Sequence, residues 1–257
     1  MPAEALAEEQ STGSSAERSL RVLSLLANEG RALSLADLAA RLSLPKGTAH
    51  RICTQLLASG FLARDVDERM FSVGPALRRL AFDTLNHGVV RGQRHEVLAE
   101  LVRQVGETCN FTTLDGVQVL YLDRVEAQWP LRLTLDVGSH VPLHCTASGK
   151  LFLARMGKKE RDAVIDRITL TRMTRHTITD ADALRAECDA IAEQGYSCDR
   201  EEFMAGLVAV AVPVLDEAGR QRAAIAVHAP TARMTIEEAV ERIGALRDAA
   251  KRMRGLL

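Results

Sequence analysis

Residues 44–61, LPKGTAHRICTQLLASGF, constrain the fold more than any other part of this chain. Pro45 favours a helix start, because the first turn of a helix needs no N–H from that position, and Gly60 favours a helix end. Apolar residues between them recur at helical spacing; they are Ala49, Ile52, Cys53, Leu56 and Leu57. The segment is therefore predicted to be a helix with one buried face.

The opposite face of this predicted helix carries no acid; its residues are Lys46, Thr48, His50, Arg51 and Gln55. Side chains of these types bond phosphates and base edges in the major groove of DNA. Lys46 and Arg51 suit phosphate or guanine contacts, and the other three suit base edges. An ordinary solvated surface helix is the alternative, because most polar helix faces contact only water.

Two more helices are predicted directly before this one. The first covers residues 17–29 and ends at Gly30, and the second has Ser34 as its N-cap with Asp37 three residues later. The short connection to Pro45 matches the spacing of a helix-turn-helix unit. Residues 1–16 show no hydrophobic periodicity and are predicted to form a disordered tail.

Apolar residues on both sides of segment 64–69 predict two short strands around a polar turn. Three helices closed by such a hairpin form a winged helix-turn-helix domain, predicted here over residues 17–74. The hairpin would bring Arg64 or Arg69 near the DNA backbone or minor groove, whereas acids at positions 65, 67 and 68 oppose that contact.

Charge is distributed unevenly along the 257 residues, although the net charge is only −1. Residues 18–80 contain ten arginines and lysines and five acids, a net charge of +5, so the rest of the chain carries −6. A basic N-terminal part joined to an acidic C-terminal part indicates that only the first meets nucleic acid.

Five cysteines are scattered along the chain without a C-x-x-C pair; they are Cys53, Cys109, Cys145, Cys188 and Cys198. Their odd number and spacing favour reduced thiols over a disulfide framework or a zinc site. No apolar run is long enough to cross a membrane, and the N-terminus is acidic, unlike a signal peptide. We therefore expect a cytoplasmic protein without a metal or other cofactor.

The pattern of the remaining chain is α+β. Residues 75–91 are predicted to form a linker helix, which Asn86-His87-Gly88 would break, and residues 92–257 a second domain. Asp115-Gly116 is a strong hairpin signal, and Thr179 with Asp182 and Thr235 with Glu238 form two predicted helix starts. The predicted helices cover 94–105, 146–156, 158–168, 180–194 and a last segment from 235, and the predicted strands cover 108–114, 117–125, 131–137, 206–215 and 221–228.

Several blocks resemble the IclR (isocitrate lyase regulator) family of bacterial transcription factors in the family's own order. They are LPKGTAHRICTQLLASGFL with FSVGPALRRLA, GETCNFTTLDGVQVLYLDRVE, VPLHCTASGKLFLA, EQGYSCDREEFMAGLVAVAVPVLDEAGR and AIAVHAPTARMT. The resemblance implies a winged helix-turn-helix reader of double-stranded DNA, a linker helix and a GAF-like effector-binding domain with an antiparallel sheet and flanking helices. It also implies a homodimer or homotetramer. Gly47 departs from the small hydroxyl residue expected there, which puts a DNA contact at that position in doubt.

The segment from His144 to Lys150 is the best sequence candidate for a ligand site. Small residues leave the N–H groups of a helix start accessible to a carboxylate, and a tightly packed capped helix is the alternative. The resemblance implies an effector site at Trp129, Leu133, Ala147, Ser148, Cys198, Asp199, Ala209, Ala226 and His228.

His228 stands where the family often has a small hydroxyl residue. An imidazole at that position and the single tryptophan of the chain favour an aromatic acid among small organic acids. A hydrogen-bonded strand histidine and a loop-anchoring tryptophan are the alternatives for His228 and Trp129. The expected function is therefore a ligand-responsive regulator, a repressor of a catabolic operon that senses a small carboxylic acid.

Thiol chemistry is the competing interpretation. His144 beside Cys145, with Asp199 and His228, could form the nucleophile, base and orienting group of a cysteine-dependent hydrolase. Cys145 or Cys198 could instead sense oxidants. Neighbouring residues of an extended segment rarely face each other, and no G-x-S-x-G, Walker or H-E-x-x-H pattern occurs, so we expect no enzyme activity.

Overall fold

The computed structural model describes residues 14–64, 69–86, 88–129 and 135–256. The chain divides into two compact units, Met1–Thr84 and Leu85–Leu257. The predicted disordered tail lies outside the described residues up to residue 13. The first helix begins at Ser15, two residues earlier than predicted, because the side chain of Ser14 caps it by accepting the Glu17 N–H.

In its described residues, the first unit contains three helices, most of a fourth and a small antiparallel sheet. The helices are α1 (Ser15–Glu29), α2 (Leu35–Arg41), α3 (Lys46–Ala58) and α4 (Pro75–Asn86), and the strands are β1 (Leu33–Ser34), β2 (Leu62–Arg64) and β3 (Met70–Val73). The strand order is β1-β3-β2. One apolar cluster joins α1, α2, α3 and the sheet, with Val22, Leu26, Leu38, Ile52 and Phe71 among its buried members.

Local signals set the ends of these helices as the sequence indicates. Gly30 ends α1 with φ 65°, in the left-handed region that glycine adopts easily. Ser34 and Asp37 form the predicted capping box at the start of α2. Strand β1 was not predicted, since two residues carry no periodicity, and the turn at 65–68 lies outside the described residues.

The second unit is an α+β fold around a six-stranded antiparallel sheet. Its helices are α5 (Val89–Val105), α6 (Ala147–Arg155), α7 (Lys158–Arg167), α8 (Ala181–Gln194), α9 (Ile236–Glu241) and α10 (Ile243–Met253), followed by a 3-10 turn at Arg254–Leu256. Its strands are β4 (Thr108–Asp115), β5 (Gln118–Val125), β6 (His140–Pro142), β7 (Ser197–Arg200), β8 (Leu207–Leu215) and β9 (Gln221–Pro230), in the order β6-β5-β4-β9-β8-β7.

Helices cover both faces of this sheet. Small residues at alternate strand positions pack in one apolar cluster with α6 and α8; they are Ala209, Ala211, Ala224 and Ala226. The intervening residues, such as Val210 and Val227, are also fully buried and therefore face the other side. Helices α5 and α10 pack against the sheet as well, α5 on β4 and β5 and α10 on β8 and β9.

Several predictions for this unit were wrong in detail. Residues 135–137 are not a strand, and Leu135 packs against the α6 cluster, whereas residues 130–134 lie outside the described residues. Among the described strands, β6 lies at this edge of the sheet, and it was not predicted. Asp180, not Thr179, caps α8 by accepting the Ala183 N–H. Strand β7 was missed, and the last helix is interrupted at Arg242, which separates α9 from α10.

The predicted linker helix is shorter than the sequence suggested. Helix α4 ends at Asn86, and α5 begins at Val89, after Gly88 with φ 81°. The predicted break at 86–88 is therefore present, although His87 lies outside the described residues. Among the described helices, none is long and apolar enough to span a membrane.

Candidate functional site

The polar face of α3 is exposed as the sequence predicts. Lys46, His50, Arg51 and Gln55 are exposed and Thr48 is half-buried, whereas Ala49, Ile52 and Cys53 on the opposite face are buried. The helix Lys46–Ala58 contains no acid. Its outer face can therefore donate to phosphates and base edges without repulsion from a carboxylate of the same helix.

The two arginines predicted for the wing lie at the strand ends that adjoin segment 65–68. Arg64 ends β2, and its guanidinium lies 5.1 Å from the ring centre of Phe71, a core residue of β3. This cation–π contact orients Arg64, since the aromatic ring is itself fixed by packing. Arg69 directly precedes β3, and both arginines are exposed.

A cavity of about 30 Å³ lies between α6 and the sheet of the second unit. Its lining residues are Asn110, Tyr121, Val141, Thr146, Ala147, Ser148, Asp199, Phe203, Leu207, Ala209, Ala226 and His228. The volume has room for about two water molecules. Six predicted effector residues line it, namely Ala147, Ser148, Asp199, Ala209, Ala226 and His228.

The other three predicted effector residues lie elsewhere or are not described. Trp129 is 45% exposed, and its Nε1–H donates to the Gly106 carbonyl at 3.0 Å while the Arg233 guanidinium covers its ring at 5.1 Å. This geometry is that of a loop anchor. Cys198 is fully buried in β7 and does not line the cavity, and Leu133 lies outside the described residues.

The start of α6 forms one wall of the cavity. Thr146 caps the helix by accepting the Gly149 N–H at 3.2 Å, and its hydroxyl donates to the Pro142 carbonyl at 2.7 Å. A Cβ atom at Gly149 would lie 2.3 Å from the Leu143 carbonyl oxygen, which no side chain tolerates. The first turn of α6 therefore packs directly on the chain leaving β6, with Ala147 and Ser148 facing the cavity.

Asn110 and His228 line the cavity end near β9, and Arg124 is hydrogen-bonded to Asn110; neither Asn110 nor Arg124 was predicted. Arg124 Nη1 donates to Asn110 Oδ1 at 3.1 Å, and this contact turns the amide nitrogen of Asn110 towards His228 Nδ1 at 2.9 Å. The amide contact at 2.9 Å is shorter than the 3.4 Å contact of Arg124 Nη2 with His228 Nε2, so Nδ1 is the accepting nitrogen and the neutral imidazole carries its proton on Nε2. Burial, with the Arg124 charge second, lowers the pKa of His228 to about 3.

Asp199 is the carboxyl group of the cavity wall. It is 2% exposed, and Oδ1 accepts the backbone N–H groups of Glu202 at 2.7 Å and Phe203 at 3.3 Å. Burial and the nearby Glu202 carboxylate raise the pKa of Asp199 to about 7. Burial likewise raises the pKa of Tyr121, on the same wall, to about 12.

A buried ion cluster underlies this wall. The Lys150 ammonium, fully buried on α6, lies 2.5 Å from Glu202 Oε1 and 3.0 Å from Glu187 Oε1. Glu202 is 4% exposed, and its Oε2 has no hydrogen-bond partner among the described residues. The cluster holds α6, α8 and the segment after β7 together around the cavity.

The geometry at Cys145 does not favour thiol chemistry. Burial raises the pKa of Cys145 to about 12, and the five cysteines are all buried. The adjacent His144 Nε2–H donates to the Thr171 carbonyl at 2.9 Å. A thiol held in its protonated form is a poor nucleophile and reacts slowly with oxidants. Within the described ranges, no group of three or more His, Cys, Asp or Glu residues could hold a metal ion.

Two family models match consecutive parts of the chain. Residues 15–66 match the IclR helix-turn-helix domain, and residues 82–254 match the bacterial transcriptional regulator IclR C-terminal domain. The chain belongs to the IclR family. It is therefore a transcriptional regulator whose helix-turn-helix domain binds DNA and whose C-terminal domain binds a small-molecule effector.

Named relatives and a solved structure agree with this assignment. The chain is 41% identical over 242 residues to the probable transcriptional regulator SauR of Cupriavidus necator, with 94% of this chain and 96% of that protein covered. It is 27% identical to the transcriptional repressor AllR of Salmonella typhimurium, over 97% of this chain and 92% of that protein.

An IclR homolog from Microbacterium hydrocarbonoxydans, solved in complex with 4-hydroxybenzoate, matches 95% of this chain and 99% of its own, with a TM-score of 0.59 and 27% identity. The named relatives are transcriptional regulators rather than enzymes.

Proposed function

We propose that this IclR-family regulator represses a catabolic operon and responds to a small carboxylic acid bound in the cavity beside α6. The supporting observation is the cavity itself, where polar groups of four elements line one space: Asn110, Ser148, Asp199 and His228. Repression is supported by the likeness to the AllR repressor. The proposal includes a cytoplasmic homodimer or homotetramer, because paired readers match two-fold symmetric operators.

Cavity size bears on the class of acid. A volume of about 30 Å³ holds about two water molecules, so a short acid requires a small movement of the walls and an aromatic acid requires a larger one. The homolog solved with 4-hydroxybenzoate supports the aromatic class for this fold. Trp129, one of the two residues that favour an aromatic acid, is 45% exposed and does not line the cavity, so we place short acids first.

DNA recognition is proposed for the exposed face of α3 and the wing. Lys46 and Arg51 would contact phosphates or guanine, and Thr48, His50 and Gln55 would contact base edges. Arg64 and Arg69 would contact the DNA backbone from the wing. The N-terminal unit then supplies operator contacts, and the C-terminal unit changes their strength when the acid binds.

A thermal-denaturation screen of the full chain tests the effector class. Acetate, glycolate, lactate and 4-hydroxybenzoate are the probes, and an acid at about 100 times its dissociation constant adds roughly 2.7 kcal/mol of stability. Ala209→Val fills the cavity and should abolish the stabilisation, whereas Ala63→Val makes the same change on strand β2 and should preserve it. Equal stabilisation of both variants would place the acid outside this cavity.

A further inference from the structure

The buried carboxyl group of Asp199 would repel an anionic effector in the cavity if it were ionised. Asp199 carries the carboxyl group among the cavity-lining residues, and its side chain is almost completely buried. An acid that enters the same space brings a second negative charge to within hydrogen-bond distance. Two buried carboxylates in contact do not both remain ionised, because neither water nor a countercharge compensates them.

The cations around Asp199 are already paired with other carboxylates. Lys150 of α6 is shared between Glu202, which follows β7, and Glu187 of α8. Arg124 of β5 donates to Asn110 and pairs with Glu126 through Nε at 3.3 Å. Lys150 also lowers the pKa of Asp199, but it is already shared by two carboxylates, so it offsets the charge of an added anion only in part.

The remaining titratable groups around Asp199 are neutral or negative. Tyr121 of β5 and Cys145 before α6 keep their protons because burial raises their pKa values. His228 of β9 is neutral, since burial lowers its pKa to about 3. Glu202 is paired with Lys150, and its negative charge lies against Asp199.

The geometry of Asp199 shows where a proton can be held. Oδ1 accepts two backbone N–H groups, so it is committed as an acceptor. Protonation therefore falls on Oδ2, which then becomes a hydrogen-bond donor. A pKa near 7 means that Asp199 gains this proton at little cost around neutral pH.

We propose that the cavity binds its anionic effector together with one proton from solvent, which Asp199 Oδ2 holds and donates in a hydrogen bond to the effector. No bond of the effector breaks, and one proton is taken up for each anion bound. The inference rests on the proposed effector site and adds a specific property to it. Effector response then weakens as pH rises above neutrality.

Calorimetric titration of the full chain tests the proton uptake. The probes are acetate, glycolate, lactate and 4-hydroxybenzoate, measured from about pH 6 to about pH 8.5, where their carboxyl groups are ionised. Two buffers with different ionisation enthalpies give the number of protons taken up. We expect uptake to approach one proton above about pH 7.5, and the dissociation constant to rise about tenfold per pH unit there.

Asp199→Asn is the decisive variant, since an amide keeps the Oδ1 acceptor and resembles the protonated acid. It should bind the acid at high pH as tightly as the wild-type chain does at low pH, without proton uptake. Asp182→Asn changes an exposed carboxylate on α8 and should keep the wild-type pH dependence. If Asp199→Asn does not fold, the proton count on the wild-type chain still decides.

Three results would overturn the proposed proton linkage, and only the last of them would also overturn the acid-sensing function. Binding without proton uptake in the wild-type chain removes the proton linkage and leaves the acid-sensing function intact. Uptake that persists in Asp199→Asn assigns the proton to another group. If none of the four acids binds at any pH, the acid-sensing function fails, and the proton linkage fails with it.

Discussion

Arg124 Nη2 lies 3.4 Å from His228 Nε2, although the two residues are 104 positions apart in the chain. Asn110 joins them, since it accepts from Arg124 and donates to the other ring nitrogen of His228. A guanidinium at this distance opposes a second positive charge on the imidazole. His228 therefore serves the cavity as a neutral polar group rather than as a cation for an acid.

Neutral His228 gives stability a defined pH dependence. Its folded pKa of about 3 lies below the unfolded value of about 6.5, so the unfolded chain binds a proton that the folded chain does not. The free energy of unfolding therefore keeps its full value above about pH 6.5, and it decreases as pH falls towards 3, because protonation of His228 then favours the unfolded chain. In His228→Gln this loss disappears, so the variant gains on the order of 1–3 kcal/mol relative to wild type between about pH 6.5 and pH 4.5.

Urea denaturation at a series of pH values measures that difference. His176→Gln replaces an exposed histidine and is the control, with a profile parallel to that of the wild-type chain. A His228→Gln profile that also runs parallel to wild type would show that His228 titrates normally.

Removing Lys150 should destabilise the protein strongly. Lys150→Met leaves Glu202 buried without its cation, and breaking a buried ion pair from one side costs about 3–5 kcal/mol. Lys251→Met removes an exposed pair with Asp248, 2.9 Å apart, and should cost less than about 1 kcal/mol. Chemical denaturation gives the free energy of unfolding of each variant. Equal losses would mean that the buried ion cluster stabilises the fold no more than an exposed ion pair does.

Gly149 should tolerate no side chain. Gly149→Ala places a Cβ against the Leu143 backbone, so α6 must shift from the cavity wall at a cost of at least about 2 kcal/mol. Gly92→Ala on α5 meets open space and should be neutral or stabilise by about 0.5–1 kcal/mol. Melting temperatures distinguish them, and a Gly149→Ala protein as stable as wild type would contradict the close packing of α6.

Arg51→Ala tests whether the exposed polar face of α3 contacts DNA bases. If Arg51 contacts a base, its loss should weaken binding to a selected operator by about 1–3 kcal/mol and relax specificity at one position. Fluorescence anisotropy with matched and scrambled duplexes measures both effects. A uniform loss across sequences would instead indicate a phosphate contact. Arg103→Ala, an exposed change on α5, is the control and should bind as wild type does.

Helix starts could be predicted because their determinants are local. Ser34 with Asp37 and Thr235 with Glu238 each form a capping box within four consecutive residues. The short strands β1, β6 and β7 lack such signals and were missed, whereas β2 and β3 were predicted from apolar residues on both sides of a polar turn. The alternating residues at 131–137 predicted a strand, yet the described residues 135–137 are not one, since alternation describes a pattern of burial and does not specify its cause.

The cavity groups could not be predicted fully, because they depend on one irregularity in strand pairing. The β4–β5 register shifts between Phe111 and Thr112, and only beyond this shift does Asn110 pair with Arg124. A regular hairpin would place Asp123 opposite Asn110. In the structure, Asp123 instead contacts His95 of α5 at 3.1 Å. A bulge of one residue therefore decides whether a cation or an acid lies beside His228.

The most direct measurement is DNA binding by the full chain with and without the acid that stabilises it most. Duplexes selected from a random library by the protein itself supply the DNA, and anisotropy gives the dissociation constant. We expect the acid to change this constant at least about fivefold in wild type and to leave it unchanged in Ala209→Val, which still binds the duplex. An acid that stabilises the wild-type chain without changing its affinity for DNA would contradict the account.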